Sequence, residues 1–220
     1  MATRNFFSEE LKRLRQDILA MATRVEENLG KAITALKKRD AELANEVRAD
    51  DSVVDTLQLQ IEDEAAIIIA TQQPVARDLR ELVTIFKLTT NIERVGDHAV
   101  HLARAAKKLA KKDSPFHMQE QLEKMAETGQ KMLHAAISAF MAQDSKAARD
   151  AAALDVMINA EHKALTENIL KLMKKNSDLV KIALQVLQTS NQIERLGDHI
   201  TNICEAIIYM IEGRHEDLNE

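Results

Sequence analysis

The chain has 220 residues and a formal net charge of −5, and 45% of its residues are hydrophobic while only 3% are aromatic. Five Gly and two Pro residues leave few obligatory helix ends, so the composition is typical of long helices packed through aliphatic side chains. The acidic charge and the scarcity of stacking aromatic residues argue against nucleic-acid binding, which needs a basic face.

Apolar residues of the first half recur every three or four positions, as they do on one face of an α-helix. Ser8 and Asp40 are suitable N-caps, and Pro74 stops a helix because it has no backbone N–H to donate. Basic residues near the predicted C-termini complement the helix dipole. The pattern predicts three helices, which run from Ser8 to Lys37–Arg39, from Asp40 to Gln73, and from Val75 or Asp78 to Lys112.

The second half repeats this plan after a connector at Asp113–Pro115, with helices predicted from Phe116 to Met141, from Ser145 to Lys175 and from Ser177 to Arg214. The segment Ile92–His98 recurs 101 residues later as Ile193–His199, with Glu, Arg, Gly, Asp and His in the same order. The sequence therefore predicts an all-α fold of six helices. Internal duplication divides it into two tandem three-helix bundles, residues 1–113 and 114–220.

The cysteine content and the apolar runs indicate the compartment. Cys204 is the single cysteine and has no intrachain disulfide partner, which fits a reducing cytoplasm. The longest apolar run, residues 65–70, is far shorter than the roughly 20 residues of a membrane span, and the N-terminal residues contain no apolar segment of signal-peptide length. We therefore expect a cytoplasmic protein without a membrane-spanning helix.

Four carboxylates are expected to converge in the first half. Asp55 and Glu93 lie equally far from the turn at Pro74, and so do Asp51 and Asp97, so antiparallel helices bring each pair to one level. Within each helix the two acidic residues are four positions apart and share a face. We refer to Asp51, Asp55, Glu93 and Asp97 as the first acidic set.

The second half offers an independent test of this geometry. Asp155 and Asp198 lie equally far from the predicted turn between residues 176 and 177, and so do Asn159 and Glu194. We refer to these four residues as the second acidic set. Because Asn159 is a neutral amide, it is a weaker ligand for a hard cation than a carboxylate, and we expect the first set to bind metal more tightly.

Like charges at this spacing repel one another, so a cation or arginine side chains should neutralise them. Ligands that are all oxygen favour hard cations such as Mg, Ca, Mn or Fe. Gly96 and Gly197, between the paired carboxylates, indicate the close approach of another group, because a mid-helix Gly is unfavourable. The alternative reading is ordinary ion pairing with arginines, for which the chain offers Arg77, Arg80, Arg94 and Arg195.

Histidines adjoin both sets. His98 and His199 directly follow the aspartates and therefore point about 100° away from the acidic faces, so we do not count them as ligands. His101 continues the row of Glu93 and Asp97 and is an optional ligand, although its counterpart in the second half is Asn202.

The paired Glu-Arg-Val-Gly-Asp and Glu-Arg-Leu-Gly-Asp segments, the Asp78-Leu79-Arg80 element and the duplicated layout together resemble the PhoU family of phosphate-uptake regulators. The resemblance spans nearly the whole chain. It implies a non-enzymatic, usually homodimeric cytoplasmic regulator that reaches the membrane only through its partners. These are a phosphate-specific ABC transporter, through its ATPase subunit, and a sensor histidine kinase, whose starvation response it represses when phosphate is plentiful. Some members carry multinuclear Fe or Zn clusters on acidic motifs, which implies a metal role for both acidic sets.

The sequence is also compatible with two other functions. A metal-free helical scaffold would use the acidic rows to bind basic partner helices. A carboxylate-bridged metal oxidase would draw a Glu-x-x-His pair from each of two bundle helices, which this chain does not supply. Gly-rich phosphate loops and nucleophile elbows are likewise absent from the sequence, so we expect no enzymatic activity.

Overall fold

A computed structural model describes residues 2–109 and 116–219, which form α-helices joined by short turns. The predicted connector at Asp113–Pro115, the helix end at Lys112 and the boundary between residues 113 and 114 lie outside the described residues, and the boundary stays a prediction. The helices are α1 (Ala2–Lys38), α2 (Ala41–Gln72), α3 (Arg77–Leu109), α4 (Phe116–Ala142), α5 (Ser145–Ala152), α6 (Asp155–Lys175) and α7 (Val180–Glu212), with a short 3₁₀ turn (Ser177–Leu179) before α7.

The first turn of each bundle is built in the same way, as duplication predicts. Asp40 and Asp144 each accept hydrogen bonds at Oδ1 from the backbone N–H groups two and three residues later, at 2.9 and 3.0 Å in both turns. The residues before them, Arg39 and Gln143, both have left-handed backbones, with φ of 56° and 53°. The predicted N-cap at Asp40 is therefore confirmed, and the second bundle has its equivalent.

Two predicted helix boundaries are wrong. α1 begins at Ala2, so Ser8 lies inside the helix, and no Gly or Pro precedes it to prevent this extension. The predicted fifth helix is divided into α5 and α6 at residues 153 and 154. Ala153 and Leu154 keep right-handed helical backbones, but the Leu154 N–H bonds the Ala151 carbonyl at 3.2 Å in a tighter three-residue turn.

The two bundles lie side by side and share one core. The first contains α1, α2 and α3, and the second contains α4 to α7. α3 runs antiparallel to α7 in the most extensive contact between helices, and α1 packs against α4. Buried aliphatic side chains from both bundles form one continuous cluster. This arrangement confirms the predicted all-α fold of two tandem bundles and makes α3 and α7 its central helices.

The chain turns back on itself after α7, at Gly213, whose φ of 73° ends the helix. Residues 213–219, here called the C-terminal segment, then lie against α7. The His215 ring stacks on Tyr209 with centroids 4.1 Å apart, and the Leu218 N–H donates to Glu205 Oε1 at 2.8 Å. Arg149 of α5 holds Glu216 of this segment at 2.7 Å. The segment is therefore a packed part of the second bundle.

Among the described helices, none combines the length and the apolar composition that crossing a membrane requires.

Candidate functional site

The first acidic set assembles as the spacing predicts. Asp51 and Asp55 lie on α2, facing Glu93 and Asp97 on α3. Partial burial and the charges of Asp55 and Asp97 raise the pKa of Asp51 above its usual value. Burial also raises the pKa of Glu93, followed by the charge of Asp97, with smaller contributions from Asp55 and Asp51. The four carboxylates therefore act on one another as a single cluster of like charge.

The second acidic set assembles between α6 and α7 and is more deeply buried. Asp155 is only 8% exposed, and burial together with the charge of Asp198 raises its pKa to about 6. Asn159 donates from Nδ2 to Asp155 Oδ2 at 2.7 Å. Burial, and next the charge of Asp198, raises the pKa of Glu194. Two oxygens of this set, Asp155 Oδ1 and Asn159 Oδ1, are buried and accept no hydrogen bond from the described residues.

Within the described ranges, arginine forms direct ion pairs with only one of the two sets, although the charge of Arg195 acts on Glu194. Arg94 contacts Asp97 at 2.9 Å and Glu93 at 3.4 Å. The equivalent Arg195 forms no ion pair within the described ranges, and Arg77 bonds the amide of Gln143 instead of a carboxylate. Ordinary ion pairing therefore accounts for part of the first set and leaves the carboxylates of the second set facing one another.

The residues of both sets suit a cation by donor type, because all their ligand atoms are oxygens. Asp155 Oδ1 and Asn159 Oδ1 accept no hydrogen bond from the described residues, and a bound cation would supply the partner that these oxygens need. The side chains are not already gathered around a point: within residues 2–109 and 116–219, no three His, Cys, Asp or Glu side chains are close enough together to hold a metal ion. Cation binding would therefore require side-chain rotation.

The two mid-helix glycines differ in their surroundings. A Cβ at Gly197 would overlap Asp155 Oδ1 and would lie 3.3 Å from Ile158 Cδ1. The close approach expected from the sequence is therefore present there, and the approaching group is a carboxylate of the second acidic set. A Cβ at Gly96 would meet Val25 and Val54 at 3.5 and 3.6 Å, which is ordinary van der Waals contact. The same expectation is wrong for Gly96.

His98 and His199 lie where α3 and α7 meet, away from the acidic faces as expected. His98 Nδ1 bonds Gln192 Oε1 at 2.9 Å, and His199 Nδ1 bonds Asn91 Oδ1 at 3.0 Å. Asn91 and Gln192 occupy the same position of the repeat, so the two bonds are equivalent and relate the bundles by an approximate two-fold axis. Burial lowers the pKa of His98 to about 4, so the ring is neutral at pH 7.

The rings of His98 and His199 are 5.4 Å apart, and the exposed His101 lies 6.2 Å from His98. His101 is also among the charges that act on Asp51, so it lies between the first acidic set and the α3–α7 contact. Sequence reasoning did not single out Asn91 or Gln192, although both occupy the position directly before the repeated motif. Polar residues at matching repeat positions were the signal that would have found them.

Comparison with known proteins agrees with this arrangement. The family model described as the PhoU domain matches residues 18–106 and again residues 122–207, one match in each bundle. The chain is 31% identical to the phosphate-specific transport system accessory protein PhoU homolog of Clostridium acetobutylicum, covering 99% of this chain and 100% of that protein. It is 33% identical to the Streptococcus pneumoniae protein of the same description, covering 98% and 100%.

Solved structures give the same result. The crystal structure of PhoU from Pseudomonas aeruginosa matches with a TM-score of 0.91 at 31% identity, covering 94% of this chain and 100% of that one. The structure of the phosphate transport system regulatory protein PhoU from Streptococcus pneumoniae matches with a TM-score of 0.87 at 31% identity, covering 96% and 99%. Both likenesses extend over nearly the whole chain.

Proposed function

This chain belongs to the PhoU family, and from that premise we propose that it regulates phosphate uptake as a non-enzymatic cytoplasmic adaptor. Its partners are the ATPase subunit of a phosphate-specific ABC transporter and a sensor histidine kinase. When phosphate is plentiful, contact with both represses the starvation response. The protein acts as a homodimer and reaches the membrane only through these partners.

One observation carries this proposal: each bundle presents a group of like charges that the described residues compensate only in part. Raised pKa values at Asp51, Glu93, Asp155 and Glu194 all arise from burial and then from neighbouring carboxylates. Such a group is stabilised by any cation that reaches it, whether a metal ion or the basic side chains of a partner. Two equivalent groups on two packed bundles give one chain two docking faces.

We further propose that a divalent or multinuclear metal, drawn from Fe, Zn, Mn or Mg, occupies these faces. Asp51, Asp55, Glu93 and Asp97 would supply four carboxylates, whereas the second set supplies three carboxylates and the amide of Asn159. The first set should therefore bind the metal more tightly. Metal content measured after Asp97→Ala and after Asp198→Ala tests this ranking, and a larger loss from the second substitution would reverse it.

A pull-down with the transporter ATPase and the cytoplasmic region of the kinase tests the adaptor function. The test variant removes four charges without changing side-chain size, by Glu93→Gln, Asp97→Asn, Glu194→Gln and Asp198→Asn. The control removes four charges from exposed positions outside both sets, by Glu9→Gln, Glu120→Gln, Glu127→Gln and Glu167→Gln. Circular dichroism confirms that both variants fold.

We expect the wild type and the control to bind and the test variant to lose binding. Repeating the pull-down with a chelator separates direct docking from docking through a metal. Equal binding by all three proteins would favour a scaffold whose interface lies elsewhere on the helices. If the wild type binds neither partner, the adaptor function is wrong.

A further inference from the structure

The α3–α7 contact carries a groove with the opposite character to the acidic sets. Two adjoining cavities, of about 290 and 450 Å³, open along this contact and share His101 and Gln192 in their walls. Together they follow α3 from Arg94 to Lys108. We refer to them as the seam groove.

Cations dominate the walls of the seam groove. Arg94 and Arg195 line the smaller cavity, and Arg104 and Lys108 line the larger one. The accompanying carboxylate is Asp97, which already holds Arg94 at 2.9 Å. This concentration of positive charge occurs in a chain whose net charge is −5, so the groove is a local basic site on an acidic protein.

Three of these four cations make no direct contact with a carboxylate of the described residues, although the charge of Arg104 acts on Asp51 and that of Arg195 acts on Glu194. Arg195, Arg104 and Lys108 form no hydrogen bond or ion pair within residues 2–109 and 116–219. In contrast, Arg15 of α1 forms an ion pair with Glu81 of α3 at 2.5 Å. The seam groove therefore gathers, from two helices, cations that the described residues leave without a direct partner.

The remaining lining is rich in neutral hydrogen-bond donors. The larger cavity adds the side chains of Gln185, Gln188 and Thr189, and its walls contain no Asp or Glu. A ligand in it would meet amide and cationic donors together, whereas the Thr189 hydroxyl already donates to the Gln185 carbonyl at 2.8 Å. Phosphate groups suit such a lining, since they carry a charge near −2 and several strong acceptor oxygens, and guanidinium groups bind them through two parallel hydrogen bonds.

The smaller cavity also lies on the approximate two-fold axis. Arg94 and Arg195 occupy the same position of the repeat and reach the same cavity from opposite bundles. An anion between them would be held by both bundles at once. Cavities of 290 and 450 Å³ are large enough for a phosphate group with a small organic part attached.

From these observations we propose that the seam groove binds a phosphate group, either as free inorganic phosphate or as part of a small phosphorylated metabolite. Arg195 holds its oxygens in the smaller cavity, Arg104 attracts it from the larger one, and the glutamine side chains complete the hydrogen bonds. The site adjoins the first acidic set, through the pairing of Arg94 with Glu93 and Asp97 and through the charge of Arg104 on Asp51, but its cations belong to neither docking face. It requires no partner protein and goes beyond the adaptor function.

Isothermal titration calorimetry of the purified full-length chain tests the site. Inorganic phosphate and adenosine monophosphate are titrated separately at constant ionic strength, with chloride as the control anion. The variants are Arg195→Gln and Arg104→Gln. Arg13→Gln is the matched control, because Arg13 is exposed on α1 and its pairing with Glu64 is loose, at 3.7 Å.

We expect phosphate or the nucleotide to bind the wild type and the control equally, and the Kd to rise about tenfold or more in each groove variant. Tighter binding of phosphate identifies the free ion as the ligand, and tighter binding of the nucleotide identifies a phosphorylated metabolite. The proposal is overturned if neither compound binds the wild type more tightly than chloride, or if folded groove variants bind like the control. Since no partner is present, this result is independent of the pull-down.

Discussion

Replacing Gly197 by Ala tests whether the second acidic set is tightly packed around the helix backbone. Removing a glycine from a helix interior normally stabilises the fold by about 1 kcal/mol. At Gly197 the new methyl group would overlap Asp155 Oδ1, so the carboxylate must leave its position and its 2.7 Å bond to Asn159. Losing a hydrogen bond to a charged group costs about 1.5–3 kcal/mol. We therefore expect Gly197→Ala to lower the free energy of unfolding by about 1 kcal/mol.

Gly96→Ala is the matched control, since it changes the equivalent position of the first bundle. Its methyl group would lie 3.5 Å from Val25 and 3.6 Å from Val54, so the helix gain of about 1 kcal/mol should appear undiminished. Urea unfolding should thus separate the variants by about 2 kcal/mol, with thermal midpoints several degrees apart. If both substitutions stabilise the protein equally, Asp155 moves freely and our account of the second acidic set is wrong.

Three further predictions concern single side chains. The folded-state pKa of Asp155, about 6, lies above its ordinary value of 3.8, so its contribution to stability is present below pH 3.8 and is lost as the pH rises through 6. In chelator at pH 7.5, Asp155→Asn should therefore raise the free energy of unfolding by about 2 kcal/mol, and a gain that persisted below pH 4 would contradict this. Burial raises the pKa of Cys204 to about 12, so iodoacetamide should modify the native protein far more slowly than the urea-unfolded chain, and equal rates would refute its burial. Arg149→Ala should release Glu212 and Glu216, so that hydrogen exchange accelerates in the C-terminal segment, while unchanged exchange would show that ring stacking alone holds it.

The helices and the acidic sets were predictable because their determinants are local. Apolar periodicity located each main helix. Asp40 and Pro74 marked the start and the end of α2 to within a few residues. Equal distances from the hairpin turns then placed Asp51 opposite Asp97, since antiparallel helices rise at the same rate.

Other features depend on tertiary contacts that leave no local signal. Ala153 and Leu154 are good helix formers, yet the α5–α6 junction falls on them because Arg149 and the rest of α5 pack against α7 and its C-terminal segment. The seam groove could not be predicted from the sequence either. The position of Lys108 near the end of a helix is explained equally well by its interaction with the helix dipole. Apolar periodicity also does not show which helix of one bundle packs against the other bundle. The alignment of α3 with α7 decides that, and it emerges only from packing.

The exchange of hydrogen bonds between His98 with Gln192 and His199 with Asn91 has the self-complementary form of an isologous interface between identical subunits. Each bundle offers one imidazole and one amide, and each receives the same pair in return. A single ancestral bundle would have found these partners in a second copy of itself. Fusing the two copies makes that association intramolecular, so it no longer depends on protein concentration. Fusion also allows the two halves to diverge. The second half has Asn159 and Asn202 at the positions where the first half has Asp55 and His101.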